Sequence, residues 1–196
     1  MYKIILASGS PRRKEILEQA GVDFVIKASN AEEITDKTNP PEMVEDLARL
    51  KAEEIKKKED GEFLIISADT LVFLDGSPLG KPKGSEDAYH MLSSLSGRKH
   101  EVYTGVAIII REKGKAEKEL VFHQMSRVEV ETLSKEQIEA YISSGEPFDK
   151  AGAYAIQGKF TVHISGIEGE YNNIVGLPIA RIYHELLKEG IDILKK

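Results

Sequence analysis

Within a few residues of its start the chain passes from a strand to a helix, and that passage constrains the fold more than any other stretch. Ile4-Ile5-Leu6-Ala7 is a short apolar run of β type, Ser8-Gly9-Ser10 turns the chain, and Pro11-Arg12-Arg13 opens a helix that continues to Ala20. Ser10 is a good N-cap residue, and Pro11 fits the first helical turn because its missing N–H would be unpaired there in any case. Ile16 and Leu17 point inward, and Gly21 supplies a left-handed stop. Such a start aims several backbone N–H groups and the positive end of the helix dipole at one spot. Arg12 and Arg13 add planar, permanently charged forks suited to phosphate oxygens. The geometry fits an anion site, phosphate above all. Read alone, the segment fits a surface loop with solvated arginines equally well.

The remaining pattern alternates strands and helices. Asp23 to Ala28 reads as a second strand, followed by an acidic loop through Glu32 and Glu33. Asn39-Pro40-Pro41 opens a helix to about Lys58. Phe63 to Ala68 is a continuous apolar run, as expected of a strand covered on both faces, and Leu71 to Leu74 continues it up to an Asp75-Gly76 turn. Ser85 caps a helix through Leu95. His100 to Arg111 and Glu119 to Val130 read as an antiparallel hairpin about Lys113-Gly114-Lys115. Ser134 and Gln137 form a capping box for a helix to about Ser143. Phe160 to Ile164 reads as a strand and Leu177 to Lys188 as the last helix, stopped by Gly190. Interleaved helices and strands with an antiparallel pair predict a mixed α/β sheet covered by helices, in one domain spanning residues 1–196.

Composition narrows the function classes. The formal net charge of −6 speaks against broad nucleic-acid or anionic-membrane binding, although a small polyanionic substrate is compatible with cations gathered locally. With no cysteine there is no disulfide, thiolate zinc site or thiol nucleophile, which agrees with a reducing cytoplasm. No signal-peptide pattern and no apolar stretch near the ~18 residues of a membrane span are present. The five histidines lack metal-site spacing, and the serines lack a nucleophile-elbow pattern.

A few residues fit poorly with a purely structural role. Lys51 falls on the same helical arc as Val44, Leu47, Ala48 and Ile55. A lysine there must snorkel or find a partner, because an unpaired buried ammonium is costly. Asp69 follows the buried run directly, with Thr70 next. A carboxylate fixed at a strand end is a candidate metal ligand or general base, and a turn-capping aspartate is the structural alternative. Ligands in open α/β sheets bind beyond the strand carboxyl ends, which favours the site reading. Gly76 to Lys81 is not a phosphate-cradling P-loop: the glycine spacing is one residue short, and Pro82 replaces the hydroxyl residue. What survives is Lys81 in a tight Gly-Lys-Pro turn.

Taken together, ASGSPRR (residues 7–13), ADT (68–70), GKP (80–82), LSGRKHEVYTG (95–105), DKAGAYAIQG (149–158) and NNIVGLP (172–178) resemble the Maf family of nucleotide pyrophosphatases. The segments occur in the family's order and cover almost the whole chain. The resemblance implies an elongated, strongly twisted mixed sheet with a central cleft, related to inosine-triphosphate pyrophosphatases. It implies a cytoplasmic enzyme that hydrolyses nucleoside triphosphates to monophosphate and diphosphate with a divalent cation, Mg2+ or Mn2+. By the same resemblance, Asp69 matches the proton acceptor, while Arg12, Thr70 and Gln157 match positions of substrate choice. Arg13, Lys51 and Lys81 match basic residues of the triphosphate cleft, and Glu33 an acidic position that joins Asp69 as metal ligand.

The AYAIQG form resembles the subfamily acting on dTTP and UTP, with 7-methyl-GTP as the other subfamily's substrate. Departures are Glu170-Tyr171-Asn172-Asn173, where serines are frequent around the tyrosine, and Ile174 in place of valine. The implied mechanism is attack of water at the α-phosphorus, with Ser8, Ser10, Arg12 and Arg13 holding the outer phosphates. A nucleotide-sensing regulator of cell division is the alternative from another class. A homodimer is compatible with the sequence.

Overall fold

A computed structural model describes residues 2–195. Its described residues form a seven-stranded mixed sheet flanked by helices. In chain order the strands are β1 (Lys3–Leu6), β2 (Val25–Ile26), β3 (Phe63–Leu74), β4 (Ser77–Leu79), β5 (Lys99–Arg111), β6 (Lys118–Val130) and β7 (Ile164–Glu168). The helices are α1 (Pro11–Gln19), α2 (Pro40–Lys56), α3 (Ser85–Leu95), α4 (Lys135–Ser143), α5 (Tyr171–Val175) and α6 (Ile179–Lys188). Sheet order is β2-β1-β3-β5-β6-β7, with β4 paired to β3. The chain divides into two compact units. One comprises the chain through Asp69, Thr104–Gln124 and the part from Gly176 onward; the other comprises Thr70–Tyr103 and Met125–Val175. β3, β5 and β6 contribute residues to both. No helix among the described residues is long and apolar enough to cross a membrane.

The first unit is organised by α2. β1 pairs in parallel with β3, Ile5 opposite Ile65 and Leu6 opposite Ile66. Side chains alternate along a strand, so Phe63, Ile65, Ser67 and Asp69 share one face. Ala48, Ala52 and Ile55 of α2 pack there against Ile5, Phe63, Ile65, Ala107 and Ile109. Leu64, Ile66 and Ala68, on the opposite face, are equally buried, which explains the unbroken apolar run. Two features bring α2 down onto the strands. The Ser67 hydroxyl lies 2.6 Å from the Ala48 carbonyl oxygen and 3.1 Å from that of Ala107. At Gly105 a β-carbon would lie 2.1 Å from the Val44 carbonyl oxygen, so only glycine admits this approach.

The second unit holds the hairpin that turns at Asp75-Gly76. Both residues have positive φ, 51° and 76°, and Val72 to Leu74 then pair antiparallel with Leu79 to Ser77. Arg98 closes this turn with both terminal contacts of one guanidinium nitrogen, at 2.7 Å, on the Asp75 carboxylate. Tyr141 of α4, Tyr154, Phe160, His163 and His100 form an aromatic cluster with centroid spacings of 4.9 to 5.3 Å. The Ser134–Gln137 capping box is present, with both reciprocal bonds.

Several local expectations change. The strand expected over Asp23 to Ala28 shortens to Val25–Ile26, because only Ile5 and Leu6 of the short β1 are available to pair it. Ser85 is the first residue of α3, after Gly84, and contributes no side-chain cap. Phe160 to Ile164 is mostly a 3-10 turn (Lys159–His163), and the strand follows it as β7. The cause is one-sided anchoring: Phe160 is buried in the aromatic cluster while Val162 is exposed, so there is no alternation to hold a strand. The last helix starts at Ile179, after the separate short α5.

Candidate functional site

The site in the first unit starts at the β1–α1 turn. Ser10 occupies the N-cap position with extended backbone, but its side chain makes no capping bond. Ser8 takes over the local role: its hydroxyl oxygen accepts from the Ser10 amide at 3.2 Å and from Arg13 Nη1 at 3.1 Å. Arg13 Nε donates to the Gly176 carbonyl at 2.8 Å, so the guanidinium is held from both ends of the unit's sequence. Burial pulls the Arg13 guanidinium below its ordinary value; Asp69 opposes that shift, Arg12 adds to it and Glu33 opposes it. Arg12 is partly exposed on the same helical turn.

Lys51 is brought to Asp69 by the α2 packing described above. Val44, Ala48 and Lys51 are successive residues on one helix face, over Gly105, Ser67 and Asp69 respectively. Lys51 Nζ lies 2.5 Å from Asp69 Oδ1 and 2.8 Å from Glu33 Oε1. The Lys51 and Asp69 side chains are only 12% and 8% exposed, whereas Glu33 is 58% exposed. A buried ammonium is thus satisfied by two carboxylates, one fixed on a strand and one on a loop open to water. The expectation that Lys51 must find a partner is met.

Ser8, Arg13, Glu33, Lys51 and Asp69 therefore lie in one unit and interact electrostatically or by hydrogen bonds. Thr70 is the next residue along β3 and opens the second unit. Lys81 and Gln157 also belong to that second unit. Lys81 is exposed, beside a buried Pro82, and the preceding Gly80 carbonyl accepts from the Gly152 amide at 3.0 Å. Gln157 is exposed between buried Ile156 and the exposed, positive-φ Gly158. His100 is buried, and its Nε2 lies 2.7 Å from the Tyr154 hydroxyl, which gives it a packing role.

Sequence reading missed Ser67, Gly105 and the carbonyl of Gly176. Ser67 carried a signal, being the one polar residue inside FLIISA and two residues before Asp69, on the same strand face. Gly105 and Gly176 stood within recognised segments without an assigned part.

Asp69 and Glu33 are the acidic groups that could hold a divalent cation. Both reach the same ammonium, so their oxygens already surround one cationic centre. Mg2+ is commonly bound by one or two carboxylates together with substrate phosphates, and this donor set fits that use. Among the described residues no cluster of three or more His, Asp or Glu forms a protein-only metal cage.

The fold and site thus define an α/β protein that sets largely buried cations beside an amide-rich helix start, around Asp69. That residue lies within β3 and not at its end as the sequence suggested, because the strand runs on to Leu74. Comparison with known proteins agrees with that class: residues 3–189 match the family described as Maf-like protein. The chain belongs to the Maf-like family. It is 51% identical over 196 residues to a dTTP/UTP pyrophosphatase of Lachnoclostridium phytofermentans, covering 100% of both chains. It is 48% identical to a dTTP/UTP pyrophosphatase of Agathobacter rectalis, covering 98% of this chain and 100% of the relative. Among solved structures it is similar to a nucleoside-triphosphatase / dITP/XTP pyrophosphatase of Mycobacterium abscessus. That likeness has a TM-score of 0.45 and 16% identity, and covers 98% of this chain and 100% of the other.

Proposed function

We propose that the chain hydrolyses dTTP and UTP to the monophosphate and diphosphate. The observation that carries the chemistry is the buried Lys51–Asp69 pair in the same unit as the Ser8–Arg13 turn. The two relatives that bear this activity in their names align along their whole length, which supports the choice of substrate.

In this reading the outer phosphates lie against the β1–α1 turn. Backbone N–H groups, Arg12 and Arg13 neutralise them there, and Ser8 fixes the Arg13 guanidinium. Asp69 accepts a proton from water as the water oxygen bonds to the α-phosphorus. The bond from that phosphorus to the bridging oxygen breaks, and diphosphate leaves with the electron pair. Lys51 holds the Asp69 carboxylate in place and adds positive charge where charge spreads over phosphate oxygens. Asp69 and Glu33 would hold Mg2+ or Mn2+, which when bound supplies further positive charge to those oxygens. The resemblance further assigns Lys81 to triphosphate binding and Thr70 and Gln157 to substrate choice. Gln157 offers both a donor and an acceptor to the edge of a pyrimidine. The cytoplasm is the compartment this substrate implies.

The test is product identity. Purified protein with dTTP or UTP and Mg2+ is expected to release pyrophosphate and monophosphate, and Asp69→Ala to lose nearly all turnover while remaining folded. Orthophosphate with nucleoside diphosphate would contradict the proposal. Nucleotide binding without any product would favour the sensing regulator.

A further inference from the structure

We propose that Tyr141 and Glu146 act as a clamp on the backbone at both sides of Gln157, and are positioning residues for base selection. The inference rests on the reading that Gln157 contacts the base.

Gln157 has an exposed side chain on a loop, a poor platform for reading hydrogen-bond patterns unless the backbone is held. Here it is held from both directions by one connected pair. The Ala155 amide, two residues before Gln157, donates to the Tyr141 hydroxyl at 3.3 Å. The Lys159 amide, two residues after it, donates to Glu146 Oε2 at 3.1 Å. The Tyr141 hydroxyl in turn donates to Glu146 Oε1 at 2.9 Å, closing the bridge. Gly158 makes the fit close: its φ is 115°, and a β-carbon would lie 2.6 Å from Glu146 Oε1. The carboxylate is therefore seated directly over the peptide that follows Gln157.

Both members of the clamp are themselves fixed. Tyr141 lies on α4, is buried, and packs tilted against the Phe160 ring at 4.9 Å between centroids; Tyr154 packs against the same Phe160 ring, also at 4.9 Å. Glu146 begins a 3-10 turn (Glu146–Asp149), and its amide donates to Ser144 Oγ at 3.3 Å. The loop from 154 to 160 is thus pinned by aromatic packing at its ends and by the Tyr141–Glu146 bridge about its middle. That leaves the exposed Gln157 and Lys159 side chains projecting from a fixed backbone.

The chemistry of the choice follows. Thymine and uracil present a keto oxygen and an N–H where cytosine presents an amino group and a bare nitrogen. An amide fixed in one orientation discriminates between these patterns, while a loosely held amide can rotate to suit either. The experiment measures kcat and KM for dTTP and dCTP in the wild type, Tyr141→Phe, Glu146→Gln, Gln157→Ala and the Glu146→Gln/Gln157→Ala double variant. Urea unfolding of each variant accompanies the kinetics.

The expected result is a fall of about tenfold in the dTTP-over-dCTP ratio of kcat/KM for Tyr141→Phe and Glu146→Gln, the scale of one neutral hydrogen bond. The loss is expected as a rise in KM for dTTP, with kcat little changed, and the double variant should lose no more discrimination than Gln157→Ala alone. A lowered ratio in Gln157→Ala with unchanged ratios in both clamp variants would overturn the clamp and leave the reading of Gln157 standing. An unchanged ratio in Gln157→Ala would overturn that reading, and the clamp with it. Equal losses for both substrates, tracking stability, would mark the pair as structural only and also overturn the proposal.

Discussion

At the residue scale the decisive fact is that one ammonium satisfies two carboxylates of unequal exposure. Removing one partner of a buried pair leaves the other charge uncompensated, which typically costs ~3–5 kcal/mol. Lys51→Met is expected to destabilise the fold on that scale and to suppress turnover. Combining it with Asp69→Asn should cost less stability than the two single losses added, as a double-mutant cycle by urea unfolding would show. Asp69→Asn alone is expected to lower kcat by about 10²–10⁴-fold, the usual contribution of a positioned base.

His100 offers a separate test, away from the chemistry. Its burial lowers the imidazole from the ordinary 6.5 to about 4. The unfolded chain therefore binds more protons between those values, and stability falls as pH drops through that window. His100 alone accounts for a loss of about 2 kcal/mol between pH 7 and pH 5. His100→Gln should show a correspondingly smaller change in urea midpoint over the same interval, and an identical change would refute the assignment.

At the scale of elements, α2 connects packing to chemistry. Its face meets the sheet at Gly105, Ser67 and Asp69 in turn, so the Lys51 ammonium is placed by a helix docked through backbone contact. Gly105→Ala puts a methyl group 2.1 Å from the Val44 carbonyl oxygen and 2.6 Å from the Glu45 nitrogen, so the helix must move. The expected cost is ~1–3 kcal/mol of stability. Turnover should also fall, by up to about 10²-fold, since small misplacements of catalytic groups are expensive. A variant as active as the wild type would show that α2 docking does not place Lys51. Much of this was legible: the apolar arc exposed Lys51 as out of place, and FLIISA followed by Asp69 marked an acid on a buried strand, although that strand continues past Asp69 to Leu74. The close approach at Gly105 was not, because a glycine in a strand does not reveal which backbone lies against it. Phe160 to Ile164 misled for a related reason. Its β-type composition reflects one aromatic anchor in a cluster assembled from distant residues.

At the scale of the whole molecule, the mixed α/β sheet follows from the alternation of apolar runs and helical patterns. Antiparallel β3–β4 pairing was hidden because Ser77-Pro78-Leu79 has little strand character of its own; the Asp75-Gly76 turn makes the strand. The net charge of −6 would repel a triphosphate from a uniformly charged surface. Arg12, Arg13 and Lys51 concentrate positive charge in one unit of an acidic chain, and this was foreshadowed by the paired arginines at a helix start. Which main-chain groups would hold those cations was not legible, since Gly176 is remote in sequence from Arg13 and carries no donor or acceptor side chain.

The central claim is that water attacks the α-phosphorus. Hydrolysis of dTTP in water enriched in oxygen-18, followed by phosphorus NMR of the products, tests it directly. The account predicts one heavy oxygen in the monophosphate and none in the pyrophosphate. Heavy oxygen in the pyrophosphate, or in released orthophosphate, would contradict it.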